Sequence, residues 1–332
     1  MGEIDKKRES QMVNRLRSIA ILLVVIAHST VLPNDAAKSV TVIESILSSI
    51  SFFGVWIFFM LGGYLFAYEK RPAGKMFLRK AETLILPWAF TGTLVYFWTY
   101  VRHGGISFGS FAAFLAGYGS YLWYMTVFTA LLVVFTVLRR KWYFAFIPLI
   151  YGVVMTIPWV LYSVVGDYFK LCYFLAGGWP IAFSLGYIIN RRNLQKKLYS
   201  FSLKYGLLCA TGFISVFAAL FVIRGRLYYW SVQYVPLCLL FTPTVIWLVA
   251  VAEKRLGSIM DKVGKVSFAV YLIHLPIAGI ICNVVNRFDR GYSFAIRPFI
   301  VIAICWFAIW IFERLVPKTS RLSFIRKLIG LR

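Results

Sequence analysis

Acidic residues are scarce in this chain of 332 residues, which has 12 aspartates and glutamates against 36 lysines and arginines. Charged residues of both signs make up only 14% of the chain, whereas 61% of the residues are hydrophobic. Soluble domains are about 45–50% apolar, and a soluble fold could not bury this much apolar surface. The shortage of charge therefore excludes an ordinary soluble enzyme and indicates a membrane protein.

Cysteines are few, all lie inside apolar segments, and no C-x-x-C pair occurs. They are Cys172, Cys209, Cys238, Cys282 and Cys305. We expect small buried side chains rather than a disulfide framework, and no metal site. A cleavable signal pattern is also missing, because residues 1–17 are polar and basic and no small-residue cleavage site ends the first apolar run. We expect that run to be a retained span.

The formal net charge of +24 does not favour nucleic-acid binding. The basic residues lie in short clusters between apolar runs, which is typical of positive-inside membrane topology. Anionic lipid head groups and polyanionic cofactors are more natural partners for such clusters. We therefore expect a lipid bilayer, and no nucleic acid, among the partners.

The apolar runs predict an all-α polytopic protein with about ten transmembrane helices in one domain over 1–332. A spanning helix needs about 20 mostly apolar residues. The candidate spans are 17–33, 45–67, 83–101, 119–138, 142–158, 170–189, 205–223, 231–252, 266–285 and 295–313. The fifth is the weakest, since Pro148 and Pro158 interrupt or bound it. The basic tail 314–332 could lie along the membrane as an amphipathic helix or be solvated.

The basic residues also predict the orientation. With the N-terminus in the cytoplasm, 28 of the 36 lysines and arginines fall on the inner side. The excess alternates from loop to loop, as the positive-inside rule requires for an even number of spans. Both termini are therefore expected in the cytoplasm.

Histidine is rare, and two of the three histidines fall inside predicted spans. His28 lies in the first span and His274 in the ninth, whereas His103 lies at the outer end of the third. An ionisable side chain inside a bilayer is costly and is a functional hypothesis by default. The alternatives are helix–helix hydrogen bonds for His28 and His274 and a wet loop residue for His103.

Arg17 precedes His28 by 11 residues, which places the two side chains on one helix face. Eleven residues end about 20° past three full turns and span about 16 Å. That geometry suits a long ligand with an anionic end at the cytoplasmic rim and a reactive end at depth. Arg17 would bind phosphate and His28 would act as a general base. The alternative for Arg17 is simple positive-inside anchoring.

Glu44 opens the second span from the outer side. It could reach the outer end of such a site and orient a histidine. An exposed acid at a helix start is the other interpretation.

Five short motifs follow one another along the chain. They are Arg17-x10-His28, FFMLGGY at 58–64, FLRK at 77–80 with Leu86-Pro87 after it, Leu122-Trp123-Tyr124, and SFAVYLIH at 267–274 with Pro276 after it. Together they resemble the acyltransferase-3 family of integral-membrane O-acyltransferases, which modify bacterial surface glycans. The likeness runs from about residue 14 to 280, and the family's ten spans agree with the predicted count.

Three positions depart from the family pattern. Glu82 stands where the family often has a second arginine, Gly62 replaces a serine, and Tyr121 replaces a polar residue before the Leu-Trp pair. These departures concern the contacts to donor and acceptor more than membership of the family.

The resemblance implies a cytoplasmic acyl-CoA donor, most often acetyl-CoA, and a glycan or lipid-linked sugar as acceptor. The donor phosphates would lie among Arg17, Arg79 and Lys80, and His28 would be catalytic. The oxyanion of the reaction would be held by a dipole for which Tyr271, Trp123 and Tyr64 are candidates, and the alternative for these three is a structural role as core aromatic residues. His274 and Glu44 are further possible lining residues. Direct transfer and an acyl-histidine intermediate are both open. The resemblance also implies a multi-pass protein of a bacterial inner (plasma) membrane.

The main alternative is a transporter or flippase for a lipid-linked or small anionic substrate, which would use the same basic rims and buried histidines. No internal repeat and no matching pair of Gly/Pro-broken spans, both common in transporters, is visible. A structural subunit of a polysaccharide synthase is a third reading, against which the intact Arg17/His28 pair argues. The acceptor sugar, the acyl length and the oligomeric state stay open.

Overall fold

The computed structural model describes residues 3–30, 38–100, 106–166, 168–288, 292–317, 319 and 324–331. All regular secondary structure in these ranges is helical, which confirms the all-α class. The α-helices are α1 (Glu3–Ser29), α2 (Lys38–Ser51), α3 (Phe53–Phe66), α4 (Ala73–Lys80), α5 (Leu86–Tyr100), α6 (Phe108–Leu115), α7 (Trp123–Leu138), α8 (Phe146–Met155), α9 (Pro158–Val165), α10 (Cys172–Leu175), α11 (Gly178–Arg191), α12 (Gln195–Arg224), α13 (Tyr234–Lys265), α14 (Ser267–Val285), α15 (Arg297–Leu315) and α16 (Phe324–Leu328). A π-helical turn, Ala81–Ile85, joins α4 to α5.

Seven stretches of the described helices are long and apolar enough to cross a membrane. They are Lys7–Ser29, Lys38–Phe66, Cys172–Arg191, Gln195–Arg224, Tyr234–Lys265, Ser267–Val285 and Ser293–Leu315. Trp142–Met155 and Pro158–Val165 add an eighth if they count as one broken span. The segments 83–101 and 119–138 contain the shorter helices α5, of 15 residues, and α7, of 16. The chain is therefore a multi-pass membrane protein, but this measure does not confirm the count of ten.

The break in the weakest predicted span falls at Pro158. The two helices on either side of it, α8 and α9, meet at a bend of 89°. Proline has no N–H to continue the helix of the preceding residues, and it pushes the residue before it toward extended backbone. Ile157 adopts that extended conformation, with ψ 114°. Pro148 lies in the first turn of α8, where an N–H would have no intrahelical partner.

Glycines allow the helices around the centre of the bundle to approach closely. A Cβ on Gly63 of α3 would overlap the backbone of Phe183 in α11, and one on Gly186 of α11 would overlap the carbonyl oxygen of Met60. Such small residues are what membrane helices use to bring backbones together. They hold α3 and α11 as one unit.

Helix α1 lies at the centre of the bundle and packs against α2, α3, α13, α14 and α15. Arg15 is 6% exposed and joins α1 to α13 through Glu253 at 2.6 Å and Asp261 at 3.2 Å. Near the same end, Gly264 of α13 packs directly on the carbonyl oxygen of Asn14. The helix that carries Arg17 and His28 is therefore enclosed by protein on several sides.

The described part of the tail folds back onto the bundle, which neither expectation for 314–332 anticipated. Helix α16 packs against α5. Arg326 is 4% exposed, donates to the carbonyl oxygen of Val316 at 2.9 Å and pairs with Glu313 at 2.7 Å. The described part of the tail therefore packs against the bundle and is not simply a solvated extension.

Candidate active site

A cavity of about 1460 Å³ runs between the central helices. It is lined by residues of α1, α3, α5, α7, α13, α14 and α15, together with the tail residues Gly330 and Leu331. Ligand pockets in proteins usually have volumes of about 300–1,000 Å³. The cavity is therefore large enough for a long ligand or for two substrates together.

The two ends of the cavity differ in chemistry. Four cations, Arg17, Lys80, Lys262 and Lys265, line what we call the basic end. Aromatic side chains line the opposite, aromatic end: they are Phe52, Tyr173, Tyr228 and Tyr229. Helix α13 connects the two ends. It starts shortly after Tyr229, which contacts Phe52, and it ends at Lys265, next to Gly264, which packs on Asn14 of α1. Its 32 residues span about 48 Å at 1.5 Å each.

Arg17 and His28 both line this cavity, in agreement with the geometry of an 11-residue spacing. His28 lies in the last turn of α1, which ends at Ser29. Its position is therefore at a helix C-terminus, and not in the middle of a helix that continues to residue 33 as the sequence suggested. The unpaired carbonyl groups of a last helical turn favour a positive charge nearby.

His274 lies directly behind His28, with the two ring centroids 5.2 Å apart. It is completely buried, and its Nδ1 lies 2.6 Å from the carbonyl oxygen of Tyr271. Because a carbonyl oxygen only accepts hydrogen bonds, Nδ1 carries a proton, and in the neutral imidazole Nε2 then presents a lone pair. That Nε2 is buried and makes no hydrogen bond within the described ranges.

The hydroxyl group of Tyr271 is committed to a structural bond. It donates to the carbonyl oxygen of Tyr121 at 2.8 Å, and the hydroxyl of Tyr121 donates back to the carbonyl oxygen of Leu272 at 3.0 Å. This reciprocal pair fixes the start of α7 against α14. Tyr271 lines the cavity but has no second O–H to offer an oxyanion.

Trp123 and Tyr124 follow this fixed point and both line the cavity. Trp123 is 9% exposed and packs against Trp179, with ring centroids 5.2 Å apart. Neither the indole N–H of Trp123 nor the hydroxyl of Tyr124 is hydrogen-bonded to any other described residue. Both groups are therefore uncommitted donors that a bound ligand could use.

Three other predicted site residues lie away from this cavity. The hydroxyl of Tyr64 donates to Glu9 on α1, and Tyr64 is not among the lining residues. Glu44 lies 3.9 Å from Arg226 behind the aromatic end. Arg79 lines a smaller neighbouring pocket of about 370 Å³, whereas Lys80 lines both pockets. His103 lies outside the described residues.

The smaller pocket adds further positive charge next to the basic end. It is lined by Lys70, Arg71, Arg79 and Lys80, with Glu69 as its acid. The two hydrogen bonds from the Arg71 guanidinium, of 2.7 and 2.6 Å, lower the pKa of the Glu69 carboxyl below its ordinary value. The charges of Glu69 and Arg71 cancel one another. Lys70, Arg79 and Lys80 therefore leave the pocket with a net positive charge.

Each of the three residues that depart from the family pattern contacts a particular neighbour in the structure. A Cβ on Gly62 would overlap the ring of Phe128, so this site has no room for serine without a shift of that ring. Glu82 pairs with Lys327 of the tail at 3.3 Å. Tyr121 supplies the bond to Leu272 described above.

Sequence reasoning missed several lining residues because they come from distant segments. Lys262 and Lys265 were counted only as loop charges, and Lys170 and Arg226 only as exceptions on the outer side, yet all four line the cavity. The one available signal was the position of the two lysines just before the motif that starts at Ser267. Tyr124 was quoted in a motif without being assigned a role.

The helices and the cavity between them define a class: a multi-pass helical membrane protein with a large cavity that is lined by a histidine. The acyltransferase-3 family model, described as an acyltransferase domain, matches residues 12–313. The chain therefore belongs to the acyltransferase-3 family and is a membrane acyltransferase. No curated protein and no solved structure matched the chain.

Proposed function

We propose that this acyltransferase moves an acetyl group from cytoplasmic acetyl-CoA, or another short acyl-CoA, to a hydroxyl of a cell-surface or lipid-linked glycan. The observation behind the proposal is that one cavity contains a cationic end, a histidine and an aromatic end. A long polyanionic donor fits the first and a sugar fits the last. The two would meet at His28.

The proposed orientation follows the basic residues. Both termini and the basic end would face the cytoplasm of a bacterial inner membrane, and the aromatic end would face outward. The chain would cross the membrane ten times if α5, α7 and the bent pair α8–α9 each complete a span. The 28 inner lysines and arginines of the total of 36 support this arrangement.

The charges at the basic end support the binding of coenzyme A phosphates. Glu313 is the only acid among the described lining residues, against the four cations of the basic end. Ser267 at the N-terminus of α14 also lines the cavity, and backbone N–H groups at a helix N-terminus bind phosphate well. Arg79, in the adjoining pocket, would extend the phosphate site toward the cytoplasm.

His28 would act as general base in a single displacement. The acceptor hydroxyl gives its proton to His28 as its oxygen attacks the thioester carbonyl carbon. The carbon–sulfur bond then breaks, and the departing sulfur takes the proton from the imidazolium, giving coenzyme A and the O-acyl glycan. A positioned base of this kind contributes about 10²–10⁴-fold in rate, and the C-terminal end of α1 stabilises the transient positive charge.

His274 would act as a positioning residue for this base. Its Nε2 lone pair can accept the N–H of the His28 ring, whose centroid lies 5.2 Å away. That hydrogen bond would leave the other nitrogen of His28 unprotonated and facing the acceptor. In this arrangement the Tyr271 carbonyl would orient His274, and His274 would orient His28. His274 would thus act as the third residue of a catalytic triad does when it orients the base.

The oxyanion that forms on the thioester carbonyl needs donors in a site from which water is excluded. Trp123 and Tyr124 are proposed for this role, because their N–H and O–H groups are the uncommitted donors described above. An acyl-histidine intermediate at His28 is the alternative route, and trapping of a labelled acyl adduct on the protein that hydroxylamine releases rapidly would distinguish it from direct transfer.

The test uses purified protein in detergent with radiolabelled acetyl-CoA and a crude envelope glycan fraction. We expect base-labile label on the glycan from the wild type and from Thr211→Ala, an exposed position on α12, but not from His28→Ala. Equal labelling by His28→Ala, with folding confirmed by size-exclusion chromatography, would contradict the proposal. A pure transporter would leave the thioester intact in every sample.

A further inference from the structure

The aromatic end of the cavity contains positive charge without a matching acid in its lining. Lys170 and Arg226 both line the cavity there. The only acid among the described lining residues, Glu313, lies near Arg326 of the tail at the opposite, basic end. A sugar site that only had to bind neutral hydroxyl groups would need no such pair of cations.

Arg226 is held in place but keeps hydrogen-bonding capacity. Its guanidinium donates to the hydroxyl of Ser48 and lies 5.9 Å from the centroid of the Phe52 ring. Glu44 is 3.9 Å from Nη1, which is beyond hydrogen-bonding distance, and does not line the cavity. Nε of Arg226 makes no hydrogen bond to any residue that the structure describes. An arginine fork held this way suits a carboxylate or a phosphate.

Lys170 reaches the same end of the cavity from the short helical turn Phe169–Leu171. Its ammonium lies 5.2 Å from the centroid of the Tyr118 ring. The loop passes beneath it at Gly119, which has φ +73° and whose Cβ would lie 3.3 Å from the lysine Nζ. A side chain at this position would crowd the ammonium, and a backbone with this φ favours glycine.

Aromatic rings lie at the same end of the cavity as the two cations. Tyr228 and Trp230 stack with centroids 5.1 Å apart and planes 8° apart, and the Tyr173 ring meets Trp230 edge-on at 5.1 Å. Such rings can pack against the C–H faces of a sugar, but they cannot neutralise charge. Lys170 and Arg226 are both exposed, so an anion that comes with the ligand can reach them and pair with their charge.

We propose that the acceptor is anionic, with a carboxylate or phosphate group close to the hydroxyl that is acylated, and that Lys170 and Arg226 bind this group. The inference rests on the proposed function and adds the chemical class of its acceptor. The anion can belong to an acidic sugar of a glycan or to the diphosphate of a lipid-linked sugar. Both sources present the same chemistry to the two cations.

The first experiment supplies radiolabelled acetyl-CoA to inside-out membrane vesicles from cells that express the wild type or His28→Ala. Label that depends on His28 is divided into solvent-extractable and water-soluble fractions, and each is passed over an anion exchanger. We expect the label to be retained by the exchanger, in the extractable fraction for a lipid diphosphate and in the soluble fraction for an acidic glycan. Label that flows through as neutral glycan overturns the inference but leaves the proposed function intact. The absence of any His28-dependent label on glycan overturns both.

The second experiment assigns the binding to the two cations. The retained glycan is de-acylated with mild base and used as acceptor for purified variants. Lys170→Gln and Arg226→Gln are each expected to raise the KM for this acceptor about tenfold, as is typical for loss of a charge-assisted hydrogen bond, with the KM for acetyl-CoA unchanged. Arg224→Gln, an exposed position two residues before Arg226 that does not line the cavity, should behave as the wild type. Wild-type acceptor KM values in both cavity variants would overturn the assignment.

Discussion

Substitution of His274 tests the proposed orientation of the catalytic base without touching either substrate. The residue is completely buried and does not line the cavity. A change there reaches the reaction through its neighbours, which are His28, Tyr121 and Tyr271. In His274→Leu the lone pair that would accept the His28 N–H disappears. His28 can then rotate or adopt the other tautomer.

The size of the effect follows from that single hydrogen bond. A buried donor that loses its acceptor loses about 1–3 kcal/mol, and 1.36 kcal/mol corresponds to tenfold in rate. We therefore expect kcat to fall about 5- to 150-fold in His274→Leu, with the KM for acetyl-CoA unchanged. His274→Gln, which can present a carbonyl oxygen toward His28, should recover part of the loss.

The assay is transfer of labelled acetyl from acetyl-CoA under saturating acceptor, with kcat and KM measured for each variant. Cys282→Ala is the packing control, because Cys282 also joins α14 to α1, through the carbonyl oxygen of Ser29 at 3.3 Å, but does not involve the imidazole pair. A properly folded His274→Leu protein with wild-type kcat would refute the reasoning. A fall in kcat that is equal in Cys282→Ala would assign the effect to helix packing instead.

Three further predictions follow from individual contacts. Arg17→Gln should raise the KM for acetyl-CoA at least tenfold with little change in kcat, because it removes a charge-assisted phosphate contact; an unchanged KM would contradict that role. Gly62→Ser should lower activity by forcing the Phe128 ring into the cavity, and adding Phe128→Leu should restore part of it, whereas a fully active single variant would show that the ring moves freely. Gly186→Val should lower the melting temperature in detergent by several degrees, since its side chain would meet the carbonyl oxygen of Met60; a wild-type melting temperature would show that α3 and α11 can separate without loss of stability.

Local periodicity predicted the parts of this protein that depend on one helix. The 11-residue spacing of Arg17 and His28 places both side chains along one cavity because a helix repeats on a known period. The proline at 158 likewise marked a break, since its effect acts on its immediate neighbours.

Contacts between distant segments could not be read in the same way. Lys262 and Lys265 join Arg17 only because the end of α13 packs beside Asn14 of α1. Tyr64 looked like a site residue because its motif lies next to the cavity, but the helix turns its hydroxyl toward Glu9. Hydropathy also cannot distinguish a short apolar helix such as α7 from a full span, because the apolar residues just outside a helix have the same hydropathy as those inside it.

With coenzyme A as the proposed donor, α1 would set a fixed distance between the group that binds its phosphates and the group that acts on its thioester, because Arg17 and His28 lie on one helix. The distance of about 16 Å that separates them along the axis would measure the pantetheine arm of coenzyme A, which is the same for every acyl thioester. Selection for the length of the acyl group must then take place beyond the imidazole, among the side chains of α7 and α14. Variants that accept longer acyl groups should accordingly be sought there, while an insertion of one residue between positions 17 and 28 would turn the guanidinium by about 100° and disable transfer of any of them.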